Sequence, residues 1–387
     1  MLTALTNARI LTPDQDIGRG VVVVEDGRIR EVGAQVRPPP DADIIDLEGA
    51  TLVPGFIDLH VHGGGGFSLS TADPEQIRAY ARWVVAHGVT SFLCSIVAAT
   101  PEGGLDALRA VAGAAGPVPG GAHVLGAHLE GPFVSPQRRG ALPESWIRRP
   151  DVALFDRLLD AASGHLRVIT IAPELPDAGE VARAAIDAGC VVAVGHSDAT
   201  YEQAREAFDA GAGLLTHAFN AMRPFHHREP GPLGAAFDSP DATIELIADG
   251  VHVHPAAARL AIAAKGSDRV ALVTDGTPPA GGEEGAHRLG GVEARLSGGR
   301  ITLPDGTIAG GAMTMEGIVR NTVDSGLATL LDAVRMASTV PAAVLGLGER
   351  KGRLAAGYDA DLVALNENGV VLRAWAAGDP AYVFSPI

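Results

Sequence analysis

The central part of the chain alternates short apolar runs with alanine-rich stretches. The runs have the length and β-branched content of strands, and the stretches, such as Pro74–His87 and Tyr201–Ala210, have the composition of helices. Eight runs qualify as strands, at residues 54–62, 89–97, 122–130, 167–172, 190–196, 213–218, 243–249 and 269–275. Eight strand–helix units predict an α/β fold, a (β/α)8 TIM barrel, with its chemistry at the carboxyl ends of the strands.

Both ends of the chain have a different pattern, typical of short strands joined by turns. Val21–Glu25 is β-branched and precedes an Asp-Gly pair, which favours a tight hairpin. Ala360–Leu365 is a further strand-like run near the other terminus. The pattern predicts a small β-sandwich domain built from residues 1–52 and 345–387, and a catalytic barrel over residues 53–344.

The first predicted barrel strand ends in two histidines. Because side chains alternate along a strand, Asp58, His60 and His62 share one face. Two neutral imidazoles can bind one divalent cation, and the glycine run Gly63–Gly66 that follows allows a sharp turn beside a ligand. The alternative is a pair of histidines that are simply hydrogen-bonded at the end of a strand.

Other predicted strands also end in ligand-type side chains. Glu130, His196 and His217 end the third, fifth and sixth strands and supply one carboxylate and two imidazoles. This set is typical of a catalytic zinc ion that keeps one position open for water. A carboxylated lysine bridging two metals is disfavoured, because the only lysines, Lys265 and Lys351, lie away from the predicted strand ends.

A second ion and a proton carrier complete the predicted site. His60 and His62 would hold a second divalent ion, with Glu130 bridging the two. A bound ion lowers the pKa of water towards about 7. Asp275, at the end of the eighth strand, would take the proton from that water and pass it to a leaving amine. The alternative for Asp275 is a carboxylate that only orients a metal ligand.

Composition narrows the class of protein. The hydrophobic content of 47% supports a large buried core, and the net charge of −16 argues against nucleic acid or a membrane surface as a partner. Cys94 and Cys190 lie in apolar runs, which indicates buried thiols in a reducing compartment. Without a leader-like N-terminus or a long apolar span, the protein is expected to be cytoplasmic.

Three stretches between the strands suggest contacts with a substrate. The guanidinium fork of Arg228 suits a phosphate group, the alternative being a surface ion pair with Glu229. His252 would hydrogen-bond a substrate oxygen or cap its own loop. The segment from Ile308 to Gly310 would pass its bare backbone close to a ligand or form a plain turn.

Several segments match motifs of a known family. The most specific are Glu130–Pro132, Asn220–Met222 and Arg228–Gly231, whereas Pro54–Gly63 and Lys351–Leu354 are shared more widely. Through them the chain resembles the amidohydrolase superfamily and, within it, the N-acetylglucosamine-6-phosphate deacetylases. The resemblance implies a barrel of the metal-dependent hydrolase type that hydrolyses the acetamide of N-acetyl-D-glucosamine 6-phosphate to D-glucosamine 6-phosphate and acetate, in amino-sugar catabolism or recycling.

The resemblance also implies roles for individual residues. It assigns a metal to Glu130, His196 and His217 and acid/base chemistry to Asp275. The implied substrate contacts are Ala141, Leu142, Asn220, Ala221, Arg228, His252, Ile308, Ala309 and Gly310. One or two divalent ions are expected, zinc foremost, with iron, manganese or cobalt as alternatives. A homodimer is expected, in which Arg228 reaches the neighbouring active site.

One position departs from the family pattern. Twelve residues after the metal-binding glutamate, where the family usually has a histidine near the acetyl carbonyl, this chain has Leu142. The metal alone would then polarise the carbonyl, or His226 or His227 would substitute. Alternative functions are deacetylation of another sugar such as N-acetylgalactosamine 6-phosphate, another metal-dependent amide hydrolysis, and a catalytically silent binding module. The intact ligand set argues against the last.

Overall fold

The computed structural model describes residues 1–384 of the chain. The strands in this part are, in chain order, β1 (Leu2–Thr12), β2 (Gln15–Glu25), β3 (Arg28–Gly33), β4 (Asp43–Asp46), β5 (Thr51–Pro54), β6 (Phe56–Asp58), β7 (Gly63–Gly64), β8 (Phe67–Ser68), β9 (Val89–Ile96), β10 (His123–Glu130), β11 (Leu166–Ile171), β12 (Val191–Val194), β13 (Leu214–Leu215), β14 (Thr243–Leu246), β15 (Val270–Leu272), β16 (Gly285–Leu289), β17 (Val292–Ser297), β18 (Arg300–Thr302), β19 (Ile308–Gly311), β20 (Leu362–Leu365), β21 (Val371–Ala376) and β22 (Asp379–Val383).

Helices follow most of the central strands. Over residues 1–384 they are α1 (Pro74–Val84), α2 (Pro101–Ala114), α3 (Val152–Ala162), α4 (Ala178–Asp187), α5 (Tyr201–Asp209), α6 (Gly231–Asp238), α7 (Pro255–Lys265), α8 (Met315–Asp324), α9 (Leu330–Ala337) and α10 (Thr339–Val344), with short 3-10 helices at Val85–His87 and Pro136–Arg138. No helix in this part of the chain is both long and apolar enough to cross a bilayer.

Eight parallel strands form the central sheet, in the order β6, β9, β10, β11, β12, β13, β14, β15. Each corresponds to one predicted barrel strand, in the predicted order, so the predicted fold class is confirmed. The first and last strands meet where Asp275 N donates to His60 O at 2.8 Å and His62 N donates to Gly276 O at 2.7 Å. Closure of the barrel therefore places two predicted site residues side by side.

Strand β9 and helix α1 illustrate how the sequence builds this barrel. All eight residues of β9 are buried, as expected of a parallel strand covered on both faces. Asp73 caps α1 by accepting a hydrogen bond from Glu75 N, and Pro74 occupies its first turn. The helix buries Ile77, Tyr80, Ala81 and Val84, whose spacing places them on one face against the barrel.

The strands at the site are shorter than predicted. The run predicted as 54–62 contains β6 only from Phe56 to Asp58, and the run predicted as 213–218 contains only Leu214–Leu215. The apolar pattern continues past the last ladder hydrogen bond, because residues at the rim of the barrel remain buried after leaving the strand. The chemistry therefore lies on the residues that immediately follow the strands.

A sheet built from both termini packs beside the barrel. Its order is β22, β21, β20, β5, β1, β2, β3. Strand β5 pairs with β1 at Arg9 and Ile10, and β4 pairs with β1 at residues 3–6. The predicted hairpin turn joins β2 to β3, with φ of 49° at Asp26 and 80° at Gly27. Because β5 (Thr51–Pro54) spans the 52/53 boundary and leads straight into the barrel, the limits given above for the two domains stay a prediction. Residues 385–387 of that prediction lie outside the described part.

A four-stranded antiparallel sheet, β16 to β19, follows the last barrel strand and was not predicted. Paired glycines at its turns and one exposed, charged face leave little hydrophobic signal. Strand β17 shows the alternation most clearly, with Ala294 and Leu296 buried between exposed neighbours. These two residues, with Ile301 and Ala309, form a small apolar core on which Ala141 packs.

Candidate metal centre and active site

Three strand ends bring Glu130, His196 and His217 into contact. His196 Nε2 lies 2.9 Å from Glu130 Oε1, and His217 Nε2 lies 3.1 Å from both of these atoms. Donors around a tetrahedral ion with bonds of about 2.0–2.1 Å lie about 3.3 Å apart. The three atoms therefore have the spacing of a metal-ligand triad.

A second group shares Glu130 with the first. His60 Nε2 and His62 Nε2 are 3.2 Å apart, and they lie 3.5 and 3.3 Å from Asp275 Oδ1. Glu130 lies between the groups: Oε1 is 2.9 Å from His196 Nε2 and 3.4 Å from His60 Nε2, and Oε2 is 3.3 Å from His62 Nε2. This arrangement can bridge two ions.

Three of these residues have left-handed backbone conformations. The φ angles are 46° at His196, 27° at His217 and 47° at Asp275, a region that side chains disfavour. Each is held by a hydrogen bond: His196 O accepts from Ser135 N, His217 N donates to Glu245, and Asp275 N donates to His60 O. The backbone strain turns the side chains from the strand ends towards the barrel axis.

Hydrogen bonds on the far side of the rings fix three imidazoles. His60 Nδ1 lies 2.9 Å from Glu245 Oε2, His62 Nδ1 lies 3.1 Å from Ser95 O, and His196 Nδ1 lies 2.9 Å from Arg138 O. These acceptors require a proton on Nδ1. The lone pair of Nε2 then faces the cluster, as metal binding needs.

The electrostatics of the cluster favour positive charge. Burial opposes ionisation of Asp275, but its hydrogen bond with His62 and the charge of His60 lower its pKa to about 2. Burial also opposes a charge on His62, yet hydrogen bonds with Asp275 and Glu130 raise its pKa to about 9. Glu130 is fully surrounded, and the charges of His60 and His196 hold its pKa well below its usual value despite burial. Buried carboxylates and imidazoles converge here on the positions that divalent cations would occupy.

The donor set fits a metal better than protons alone. His196 Nε2 and His217 Nε2 lie 3.1 Å apart. In a neutral His196 ring Nε2 carries no proton, because Nδ1 donates to Arg138 O, so Nε2 presents a lone pair to His217 Nε2 and to Glu130 Oε1. A cation at the centre would satisfy all three atoms. The residues that could hold a cation are those of the two groups above, which include the five predicted ligands and also Asp275.

Most predicted substrate residues surround this cluster. Asn220 Nδ2 donates to the carbonyls of His217 and Ala218 at 3.2 and 3.1 Å. A Cβ added at Gly140 would lie 3.4 Å from Ala221 and 3.6 Å from the His196 ring, which shows how closely that loop covers the triad. The loop continues through Ala141 to Leu142, which is buried.

Strand β19 and the loop after β14 form a further part of the mouth. Gly311 N donates to Asp275 O at 2.7 Å, so that Ile308, Ala309 and Gly310 run beside the candidate acid/base. His252 Nδ1 donates to Asp249 Oδ2 at 2.7 Å. The pKa of His252 is raised: burial lowers it, but the hydrogen bond and charge of Asp249 outweigh that effect, and the charge of Asp275 adds to the rise.

Arg228 is the predicted substrate residue that the structure does not bring to the cluster. It lies on an exposed loop, and its Nη1 contacts His227 Nε2 at 2.9 Å. Within residues 1–384 it makes no ion pair with Glu229. His226 and His227 contact each other in the same exposed loop, with their ring centroids 4.2 Å apart and the rings tilted by 45°.

Comparison with known proteins assigns the chain to a family. Residues 51–381 match the sequence model of the Amidohydrolase family. The chain belongs to this family. A Bacillus subtilis (strain 168) protein named N-acetylglucosamine-6-phosphate deacetylase is 37% identical, over 97% of this chain and 96% of its own length. The N-acetylgalactosamine-6-phosphate deacetylase of Escherichia coli O157:H7 is 36% identical, over 98% of this chain and all of its own.

A solved structure is similar over nearly the whole molecule. It is a mutant N-acetyl-D-glucosamine-6-phosphate deacetylase from Mycobacterium smegmatis in complex with N-acetyl-D-glucosamine-6-phosphate. This amidohydrolase superposes on it with a TM-score of 0.91 and 38% identity, over 99% of this chain and 100% of the other. The resemblance predicted from the sequence is confirmed.

Two features of this amidohydrolase site escaped the sequence analysis. Glu245 lies in the middle of an apolar strand and contacts His60 and His217. Its signal was a single acid between Ile244 and Leu246, where every neighbour is buried. The second feature is Asp198, which binds two arginines from loops around the triad; a charged pair on separate loops leaves no local pattern in a sequence.

A separate open cavity of about 490 Å³ lies at the terminal sheet of this amidohydrolase. Its lining residues are Thr12, Asp14, Gln15, Ile17, Arg30, Glu31, Val32, Val36, Arg353, Leu354, Ala355 and Ala356. None of them belongs to the histidine and carboxylate cluster. The chemistry of the donor groups, rather than the size of a concavity, therefore locates the candidate active site at the barrel mouth.

Proposed function

We propose that this protein hydrolyses the acetamide of N-acetyl-D-glucosamine 6-phosphate, giving D-glucosamine 6-phosphate and acetate, in the cytoplasm during amino-sugar catabolism or recycling. The observation that carries the proposal is the Glu130, His196 and His217 triad with Asp275 beside it. It is supported by end-to-end similarity to relatives that bear the name of this activity.

The metal ligands belong to the proposal. Glu130, His196 and His217 would hold one divalent ion, and His60 and His62 would hold a second, with the Glu130 oxygens close to both groups. The nitrogen and oxygen donors and their near-tetrahedral spacing favour zinc, and iron, manganese or cobalt accept the same donors. When bound, the metal lowers the pKa of water and polarises the acetamide carbonyl.

Asp275 moves the proton. Neighbouring positive charge lowers the pKa of this carboxyl despite its burial, so it is ionised at neutral pH and can act as a base. It accepts a proton from the attacking water and donates it to the amide nitrogen as the carbon–nitrogen bond breaks. Acetate and the free amine then leave. The hydrogen bond from Asp275 N to His60 O holds the carboxylate at this position.

The remaining side chains bind and orient the sugar phosphate. Asn220, Ala221, His252 and the Ile308–Gly310 backbone line the mouth, and Ala141 and Leu142 cover the triad from the loop after β10. Arg228 binds the phosphate of the neighbouring subunit's substrate in a homodimer. Its exposed guanidinium, paired only with the adjacent His227 among the described residues, supports a role outside its own barrel.

A second candidate function is deacetylation of N-acetyl-D-galactosamine 6-phosphate. The Escherichia coli O157:H7 relative that carries this name is aligned over as much of the chain as the Bacillus subtilis protein and is almost equally identical. The two substrates differ only in the orientation of one hydroxyl group. Residues that touch this hydroxyl, rather than the metal centre, would decide between them.

Acetate release from the purified protein tests the proposal. The substrates are the 6-phosphates of N-acetylglucosamine and N-acetylgalactosamine, with unphosphorylated N-acetylglucosamine as the comparison. We expect the highest kcat/KM for N-acetylglucosamine 6-phosphate. A preference for the galactosamine compound would favour the second candidate, and equal activity without phosphate would contradict both.

A further inference from the structure

Glu245 holds ligands of both candidate metal sites through a single oxygen. Its side chain points from β14 into the barrel and is completely buried. Oε2 accepts from His60 Nδ1 at 2.9 Å and from the backbone N of His217 at 3.0 Å. His60 belongs to one metal group and His217 to the other, so that one carboxylate joins them.

The two contacts act on different properties of the ligands. On His60 the carboxylate fixes the proton on Nδ1, which leaves the Nε2 lone pair for a metal. On His217 it holds the backbone at a φ of 27°, which turns the side chain towards Glu130. The His217 ring has no hydrogen-bond partner for Nδ1 within residues 1–384, so its orientation depends on its backbone, whose N is held by Glu245 and whose O accepts from Asn220.

The free-energy cost of burying this carboxylate indicates that Glu245 has a role other than packing. Its other oxygen, Oε1, is buried and has no hydrogen-bond partner among the described residues. The nearby His128 does not supply one, because its ring bonds to Leu59 O and Thr170 Oγ1 instead. An incompletely bonded carboxylate in a barrel core is unfavourable, and an apolar residue would pack at lower cost.

We propose that Glu245 is a positioning residue shared by the two metal sites, which sets the tautomer of His60 and the backbone of His217 together. This inference rests on the proposed metal-dependent function. Its test reads metal binding directly, so that failure of the inference and failure of the proposed activity are distinguishable. A protein that binds metal as predicted but releases no acetate would contradict only the activity.

The experiment compares wild type with Glu245→Leu and Glu245→Asp. Leucine removes both acceptors at similar volume, and aspartate keeps the charge but retracts it by one methylene group. Each purified protein is stripped of metal and titrated with Co²⁺, and the absorption bands of the two ions and their dissociation constants are followed. Thr170→Val is the matched control, because it removes a buried hydroxyl in the same cluster that touches neither His60 nor His217.

We expect Glu245→Leu to raise the dissociation constants of both ions about 10- to 100-fold, the usual effect of removing a group that orients metal ligands. Glu245→Asp should weaken both as well, and it carries the test alone if the leucine variant does not fold. Thr170→Val should leave both constants within about threefold of wild type, which is below that range. Three results would overturn the proposal. The folded Glu245 variants could keep both dissociation constants unchanged, or only one of the two ions could bind more weakly. Wild type could also bind fewer than two ions.

Discussion

Asp275 combines an ionised carboxylate with a position at the solvent-facing edge of the metal-ligand cluster. Its side chain is 13% exposed, whereas Glu130 is 5% exposed and His60 is completely buried. Of the two acidic side chains in contact with the histidines' Nε2 atoms, it is the one that incoming water and substrate reach more easily. This difference in access assigns proton transfer to Asp275 and bridging to Glu130.

We expect Asp275→Asn to retain bound metal but to lower kcat about 10²- to 10⁴-fold, because the amide cannot accept a proton from water. Acetate release and metal content are measured on the same preparation. Asp73→Asn, at the capped start of α1, is the control and should keep full activity, since asparagine also caps helices. Wild-type turnover by the Asp275 variant would remove this residue from its proposed role.

Arg228 gives a prediction about substrate recognition. We expect Arg228→Ala to raise KM for N-acetylglucosamine 6-phosphate about 10- to 100-fold, because a hydrogen bond to a charged group contributes about 1.5–3 kcal/mol. KM for the unphosphorylated sugar should not change. Arg19→Ala, on the terminal sheet, controls for the loss of a surface charge. Equal effects of Arg228→Ala on the two substrates would show that this residue does not bind phosphate.

At the scale of elements, the site depends on how β19 packs against the residues that follow β15. Gly310 has a φ of 76°, and a Cβ there would lie 2.6 Å from Asp275 O and 2.5 Å from Thr277 Cγ2. The strand can therefore approach Asp275 only because this residue has no side chain. Movement of β19 would displace both the acid/base and the backbone that lines the mouth.

We expect Gly310→Ala to lower kcat/KM about 100-fold, the cost of displacing a reacting group by about 1 Å. Gly306→Ala is the matched control, since Gly306 also has a positive φ, of 85°, but no atom lies within 4 Å of an added Cβ. Both variants should lose about 1–2 kcal/mol of stability from the backbone conformation. If the two variants lose the same activity, close packing of β19 on Asp275 does not matter for catalysis.

The elements differ in how far the sequence predicts them. Strands such as β9 are apolar throughout and are found from the sequence, because burial on both faces needs a continuous run. The sheet from β16 to β19 is missed because only one face is covered, by a core of four residues. Glu130, His196 and His217 are found because side chains at strand ends meet in any closed barrel. Glu245 is missed because its role depends on which ring lies opposite, and local pattern does not determine that.

At the scale of the whole molecule, a buried ionic cluster joins the terminal sheet to the base of the barrel. Lys351 is 2% exposed, and its Nζ lies 2.5 Å from Asp361 Oδ2 and 3.4 Å from Asp359 Oδ2. His123, at the start of β10, faces this cluster. Burial and the charges of Lys351 and Arg350 lower the pKa of His123 to about 4, although the two aspartates act in the opposite direction.

This histidine makes stability depend on pH. Its folded pKa is below the ordinary value of about 6.5, so the unfolded chain takes up the proton first, and stability falls as pH drops from about 6.5 to about 4. Partial exposure of the ring limits the loss to about 1–2 kcal/mol. We expect His123→Gln to reduce the decrease in urea midpoint between about pH 7.5 and about pH 5.

The same substitution at the half-buried His287 is the control for this measurement. It should leave the pH dependence of the urea midpoint as in wild type, because that ring lies in the β16–β19 sheet, away from the ionic cluster. An identical pH dependence in wild type and His123→Gln would show that the buried cluster does not keep His123 neutral.

Metal-dependent acetate release from N-acetylglucosamine 6-phosphate tests the central claim most directly. The protein is treated with a chelator, freed of it, and assayed before and after addition of zinc, with its metal content determined at each stage. We predict that acetate release disappears with the metal and returns when the Glu130, His196 and His217 site is refilled. Full-rate acetate release by protein that contains no metal would contradict the account.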